Sequence, residues 1–336
     1  MSCFESVGVG FDDYTDSQAF LDLVRLADRL SFSSLWIQEG VERSSLSLAA
    51  TALSSTRRIK VGVGVTSPIR RHPQILAIEA ATLNEISGGR FIMGIGIASS
   101  AITNYGLEIR PVAAMRDTFH IIRGLLSSET SRFSYNGEVF LLKTPQKRLG
   151  MPHVPVYLGG IGPQMLDLCG AVADGLVMTR RGAFSVDYVR YAIERVTKSA
   201  KKNNRDSGKL GFLAFFETCI SEDENQAIQS AKKILATYTI PQTPAFVSNL
   251  AGIQPQEIAL VKERYLNGDI AGAVNAVTDE MVEKFAVAGT PTQCVEKLLR
   301  FTSTGLKTPI LYIHGPDNKK AAELAAERIV PQLTRK

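Results

Sequence analysis

A tryptophan followed three positions later by a carboxylate, Trp36-Ile37-Gln38-Glu39-Gly40, offers a ring for stacking and a group able to give or take a proton. Trp36 is the only tryptophan in the chain. Both residues also fit a plainer role, Trp36 as packing and Glu39 as a solvated loop acid. Further on, Gly62-Val63-Gly64-Val65-Thr66-Ser67-Pro68 sets two glycines inside a β-branched run. Glycine weakens a strand, so the pair points to a bulge or to something approaching the backbone closely, such as a planar ring. Gly94-Ile95-Gly96 repeats the device, and Ala98, Ser99 and Ser100 follow as small or hydroxylic groups able to face a ligand. Gly159-Gly160-Ile161-Gly162-Pro163 is a glycine-rich turn opening a helix, whose free amides and dipole suit an anion such as phosphate. It reads equally as a tight turn. Thr179-Arg180-Arg181 adds two guanidinium groups, which could clamp a phosphate or carboxylates or stand solvated.

Other chemistries are poorly served. The histidines His72, His120, His153 and His314 are scattered, and no HxH, HExxH or Cys/His cluster offers metal ligands. No GxSxG elbow, no GxxxxGK[ST] loop and no strand-linked GxGxxG with its distant acid occurs. Chemistry carried by a bound organic cofactor is what remains.

The elements that must position these residues alternate in type. Strand candidates run from Val7 to Phe11, Leu35 to Gln38, Ile59 to Val65, Phe91 to Ile95, Val154 to Leu158, Leu176 to Thr179, Phe212 to Ile220 and Ile310 to His314. Several are continuous apolar runs, as strands covered on both faces are. Between them lie helical patterns. Phe20, Leu23, Val24, Ala27 and Leu30 share one face behind Thr15 and Asp16 as caps, and Val112, Met115, Phe119, Ile122 and Leu126 share another behind Pro111. Pro73, Pro163 and Pro291 stand where a first-turn proline starts a helix, the last after a capping Thr290. Eight such units predict an α/β fold, a (β/α)8 TIM barrel, with reactive groups on the loops after the strands. The stretch between Ile220 and Ile310 is far longer than one unit needs. It predicts a helical insertion after strand seven, about 238–288, within one domain spanning 1–336. There, a polar loop from Ile240 to Pro244 precedes helices near Glu257 to Leu266, Ile270 to Val277 and Met281 to Ala286.

Composition adds bounds. Of 336 residues, 45% are hydrophobic and 21% charged, an ordinary globular balance. The net charge of +5 comes from 38 basic residues dispersed among 33 acidic ones, which argues against nucleic-acid binding. No run approaches the roughly 18 apolar residues of a membrane span, and the N-terminus lacks secretory order, so a soluble cytoplasmic protein is expected. Cys3, Cys169, Cys219 and Cys294 show no CxxC pair and read as reduced thiols.

The run Gly62 to Pro68, then Arg71-His72-Pro73, Ala81 to Phe91 (ATLNEISGGRF) and Met93-Gly94-Ile95-Gly96, resembles the luciferase-like flavin and deazaflavin oxidoreductases, and within them the methylenetetrahydromethanopterin reductases. The likeness continues through Leu158 to Pro163, Ala173-Asp174-Gly175 and Ala288-Gly289-Thr290-Pro291, nearly the whole chain. It implies hydride transfer between the deazaflavin coenzyme F420 and a small organic substrate, for example a methylene-tetrahydropterin-type one-carbon carrier. An FMN-dependent monooxygenase is the alternative, and a non-catalytic cofactor-binding protein a third. By position it implies a non-prolyl cis peptide at Gly64-Val65, in a bulge supporting the middle of the ring. Trp36, Thr66, Gly96 and Ser99 would be further cofactor contacts. The phosphate region would lie near Gly159, Gly160 and Gly162, and the acidic tail toward Thr179, Arg180 and Arg181. Glu39 falls beside the ring, as the catalytic candidate. Three places depart from the methanopterin reductases: Gly10 replaces a first-strand acid, Ser99 an aspartate, and the tripeptide Gln38-Glu39-Gly40 the motif Thr-Asp-His. Hydride transfer stays implied and the substrate stays open. Relatives pair through barrel helices, so a homodimer is expected.

Overall fold

The computed structural model describes residues 3–11, 16–40, 43–179 and 185–334. Its strands are β1 (Gly8–Phe11), β2 (Ser34–Ile37), β3 (Lys60–Thr66), β4 (Phe91–Gly96), β5 (Phe133–Asn136), β6 (Leu141–Gln146), β7 (Val156–Gly159), β8 (Gly175–Met178), β9 (Gly211–Ile220), β10 (Ala286–Gly289) and β11 (Thr308–Ile313). The main sheet has the order β10-β9-β11-β1-β2-β3-β4-β7-β8, with β9 also joined to β8. The eight strands read from the sequence are thus all present, as a parallel (β/α)8 TIM barrel with flanking helices. β2, β8 and β11 are buried along their whole length, as parallel strands covered on both faces must be. Helix starts follow their local chemistry. Asp16 accepts from Gln18 N at 2.7 Å, and the prolines Pro73, Pro163 and Pro291 each occupy a first turn. Thr290 N donates to Gln293 Oε1 at 2.8 Å, one arm of a capping box.

Internal contacts group the chain into two compact units. The first comprises residues 1–35, 178–194 and 212–336. In it β1 pairs with β11 and β11 with β9, Tyr312 standing opposite Glu217. Glu217 is a buried acid in a largely apolar strand; Thr239 Oγ1 donates to its Oε1 at 2.7 Å, and His314 Nε2 lies 2.6 Å from its Oε2. This unit also holds the insertion. There the helix Glu224–Ile234 runs on through a π-helical turn at Leu235–Thr239 into Ile240–Gln242, where a polar loop was expected. Ile240 is fully buried, and apolar packing carries the helix past the proline at 241. The helices Pro255–Leu266 and Ile270–Ala276 are as read, whereas the third, Asp279–Phe285, gives way at Ala286 to β10, which lies parallel on β9.

The second unit comprises 36–177 and 195–211. Its β3, β4, β7 and β8 form a parallel run. Where β3 and β4 begin, Arg90 donates to Thr56 Oγ1 and the Ile59 carbonyl, both at 3.0 Å, and to the Leu53 carbonyl at 2.9 Å. The antiparallel hairpin β5–β6 was not foreseen. It is tied to the helix Pro111–Leu126 by buried Asp117, which accepts from Tyr135 Oη at 2.9 Å and from the amides of Val139 and Phe140 at 2.6 and 3.0 Å. Among the described residues no helix is long and apolar enough to cross a membrane. No group of His, Cys, Asp or Glu among them could hold a metal ion.

Candidate cofactor site

The second unit carries most of the residues singled out in the sequence. Between Val63 and Thr66 the register of β3 against β4 shifts: Val63 faces Met93, but Thr66 faces Ile95, so β3 carries one extra residue. The Gly64–Val65 peptide inside this bulge is cis, as the resemblance implied. Gly96 and Gly159 are register partners on β4 and β7. A β-carbon on Gly96 would lie 2.6 Å from Val65 Cγ2, and one on Gly159 2.7 Å from Val65 Cγ1. On Gly94 it would meet the Val63 carbonyl at 2.4 Å. These glycines therefore form a seat for the Val65 side chain. The close approach read from the glycine pattern is made, at these positions, by the chain's own bulge. Ser67 fixes the next turn, donating to the Ile97 carbonyl at 3.1 Å and accepting from Ile69 N at 3.1 Å.

Glu39, in the loop after β2, has both carboxylate oxygens engaged. Arg71 Nη1 reaches Oε1 at 2.7 Å, and Ser45 Oγ donates to Oε2. The Glu39 side chain is only 8% exposed, so it is not a freely solvated loop acid. The same guanidinium reaches Thr66 Oγ1 at 3.3 Å and Ser44 Oγ at 3.1 Å. Glu79 lies further off, its Oε1 3.9 Å from Arg71 Nε. Burial holds the Glu79 carboxyl above its ordinary value, with Arg71 opposing the shift and Glu39 adding to it.

The remaining candidates divide. Trp36 is fully buried with its ring against Gly62, whose β-carbon would lie 2.6 Å from the ring carbons. It has no surface to offer a ligand and serves packing, a correction to its expected cofactor role. Thr66 is likewise buried, at the end of β3. Ser99 is exposed, at the start of the short helix Ser99–Asn104, behind Ala98 in a left-handed turn (φ 52°, ψ 64°). Gly160 accommodates the Met165 side chain, but nothing lies within 4 Å of where a Gly162 β-carbon would be. Gly162 begins the helix Pro163–Val172, whose first amides have no side-chain cap. Thr179 follows β8 and is half-buried. Arg180 and Arg181 lie outside the described residues, as does Thr15.

Arg71 was quoted in the sequence only as part of a motif. Its signal was present, since a part-buried Glu39 needs a cation. The Glu217–His314 pair of the first unit was also missed, because one acid in an apolar strand leaves no periodic trace. A cavity of about 280 Å³ in that unit is lined by Glu224, Asp279, Glu283, Gln293, Lys297 and Arg300. Several of its charges are paired with protein groups: Lys297 and Arg300 hold Glu283 at 3.2 and 2.7 Å, and Lys232 holds Asp279 at 2.8 Å. Burial still brings the Lys297 ammonium down to about 8.

The site region is thus the end of β3, with its bulge and the glycines of β4 and β7 packed against it. The chain belongs to the luciferase-like monooxygenase family, whose model matches residues 2–308. It is 29% identical over 323 residues to a 5,10-methylenetetrahydromethanopterin reductase of Archaeoglobus fulgidus, covering 92% of this chain and 94% of that one. It is 24% identical over 329 residues to an F420-dependent glucose-6-phosphate dehydrogenase of Nakamurella multipartita, covering 93% and 91%. The solved structure of the coenzyme F420 dependent tetrahydromethanopterin reductase from Methanopyrus kandleri superposes with a TM-score of 0.87 at 27% identity, covering 98% of this chain and 99% of that one.

Proposed function

We propose that this chain is a coenzyme F420-dependent oxidoreductase that moves a hydride between the deazaflavin and a small organic substrate, with a methylene-tetrahydropterin-type one-carbon carrier as the first candidate. The observation that carries the reading is the β3 bulge at Gly64 and Val65, seated on Gly96 and Gly159, in a chain similar over more than nine-tenths of its length to proteins whose names include F420. The residues fit such a group. Val65 is half-buried at the end of β3 and offers a firm apolar rest for a ring, with Gly64 beside it and Ser99 exposed just beyond the end of β4. The uncapped helix start at Gly162, open where a side chain would stand, suits a phosphate, with Gly159 and Gly160 leading into it. Thr179, Arg180 and Arg181 are assigned to the acidic tail. When bound, the deazaflavin would supply hydride exchange; the protein's part is to hold it, exclude water and orient the partner. Glu39, with both oxygens engaged, acts by orienting neighbouring groups through hydrogen bonds.

The domain is one luciferase-like barrel over 1–336 with its helical insertion about 238–288, and the setting is the cytoplasm. Two copies pair. Ile75, Ile78 and Ile86, all exposed on the helix Pro73–Ile86, supply apolar surface for this. The second reading, an FMN-dependent monooxygenase, is favoured by the description of the matched family itself. Mass spectrometry of the small molecule carried by the chain from its native host separates the two: F420 is expected, and FMN would replace the first reading by the second.

A further inference from the structure

Two successive arginines after β3 reach back to the loop after β2. Arg70 Nη1 donates to the Gly40 carbonyl at 2.6 Å, and Arg71 Nη1 donates to Glu39 Oε1 at 2.7 Å. Arg71 does more than pair a charge. Its Nη1 also faces Thr66 Oγ1, the buried last residue of β3 and the direct neighbour of the bulge, while its Nη2 donates to Ser44 Oγ. Ser44 caps the helix Ser45–Ser55, accepting from Ser47 N at 3.3 Å. The first residue of that helix, Ser45, in turn donates to the second oxygen of Glu39. One planar guanidinium therefore joins the β2 loop, the cap of the next helix and the end of β3. A simple ion pair would need none of the bonds to Thr66 and Ser44, and a lysine would have to gather around one nitrogen three acceptors that Arg71 meets with two, held apart in a rigid plane.

We infer that Arg71 is a positioning residue that fixes the spacing between Glu39 and the Gly64–Val65 bulge. This rests on the reading of the bulge as the cofactor support. The geometry separates the two roles that the site must combine. Binding of the cofactor draws on the glycine turn and the bulge, which Arg71 does not touch directly. The alignment of the reacting partners draws on the Glu39 loop, which Arg71 and Arg70 hold. Losing the clamp should therefore lower turnover more than it lowers cofactor affinity, since a displacement of about 1 Å at a reacting centre can cost on the order of a hundredfold in rate.

The variants Arg71→Ala and Arg71→Lys test this, with three readouts. In the cofactor-free protein, hydrogen exchange at 38–40 and 66–71 should quicken in both variants, while exchange in the helix Pro163–Val172 stays as in the parent. With F420, kcat should fall by roughly a hundredfold while the Kd for F420 moves by less than about tenfold. Added guanidinium ion should restore part of the kcat of Arg71→Ala. Parent-like exchange and parent-like kcat in a folded Arg71→Ala or Arg71→Lys would overturn the inference. So would losses of kcat and affinity in equal proportion without rescue, which mark general destabilisation. If the parent itself takes no F420, the cofactor reading fails, and the exchange measurement alone still decides whether Arg71 clamps the loop.

Discussion

Arg71 and Glu39 meet at 2.7 Å, and Ser45 occupies the carboxylate oxygen that Arg71 leaves. A carboxylate held this way has each oxygen accepting one hydrogen bond, from a guanidinium and from a hydroxyl. Glutamine could keep both contacts, its carbonyl accepting from Arg71 and its amide donating to Ser45 Oγ. Glu39→Gln is accordingly expected to keep turnover within about tenfold of the parent. Glu39→Ala should destabilise the fold by about 1–3 kcal/mol in urea titration, because it leaves a part-buried guanidinium under-satisfied. A drop of roughly two to four orders of magnitude in kcat for the glutamine variant would instead make Glu39 a general acid.

Val65 and the glycines beneath it should be energetically coupled. Gly96→Ala and Gly159→Ala each put a β-carbon 2.6–2.7 Å from a Val65 methyl group, an overlap that must be relieved by moving the bulge. Each is expected to cost about 1–3 kcal/mol, the usual range for overpacking. Shortening the side chain in Val65→Ala removes the clash. The double variants should recover part of the loss, giving a coupling on the order of 0.5–3 kcal/mol in a double-mutant cycle read by chemical denaturation. Strict additivity would mean that the glycines are needed for something other than seating Val65.

The position of the glycines was legible in the sequence, but their partner was not. Glycine spacing at Gly94, Gly96 and Gly159 says that something comes close; that Val65 fills the gaps at Gly96 and Gly159 depends on a bulge that offsets β3 by one residue, and composition carries no trace of that offset. The eight barrel strands were legible because each is an apolar run between turn signals. The β5–β6 hairpin was not, since its strands are half-exposed, mixed in character and include Pro145. Glu39 stood out as an acid after a strand, whereas its partner Arg71 lies 32 positions away and is tied to it only through the fold.

Glu79 gives the site region a pH signature. Burial, opposed by Arg71 and reinforced by Glu39, raises its carboxyl in the folded chain, and its Oε2 is buried without a hydrogen-bond partner. A folded pKa above the unfolded 4.5 means that the folded chain holds the proton more tightly. The stabilisation is then complete below about pH 4.5 and is lost as pH rises through the folded value. Glu79→Gln should therefore raise Tm at about pH 7, with the gain shrinking as pH falls toward 4.5. A Tm difference that grows toward acid pH would show that the charged form is the favoured one.

Cofactor choice is decided by a titration of the purified chain with F420 and, separately, with FMN under anaerobic conditions. The expected result is a saturable change in the deazaflavin absorbance at one equivalent per chain, with hydride exchange on adding a reduced one-carbon carrier, and weaker binding of FMN. Tight retention of FMN with no response to F420, and oxygen consumption once the flavin is reduced, would contradict it.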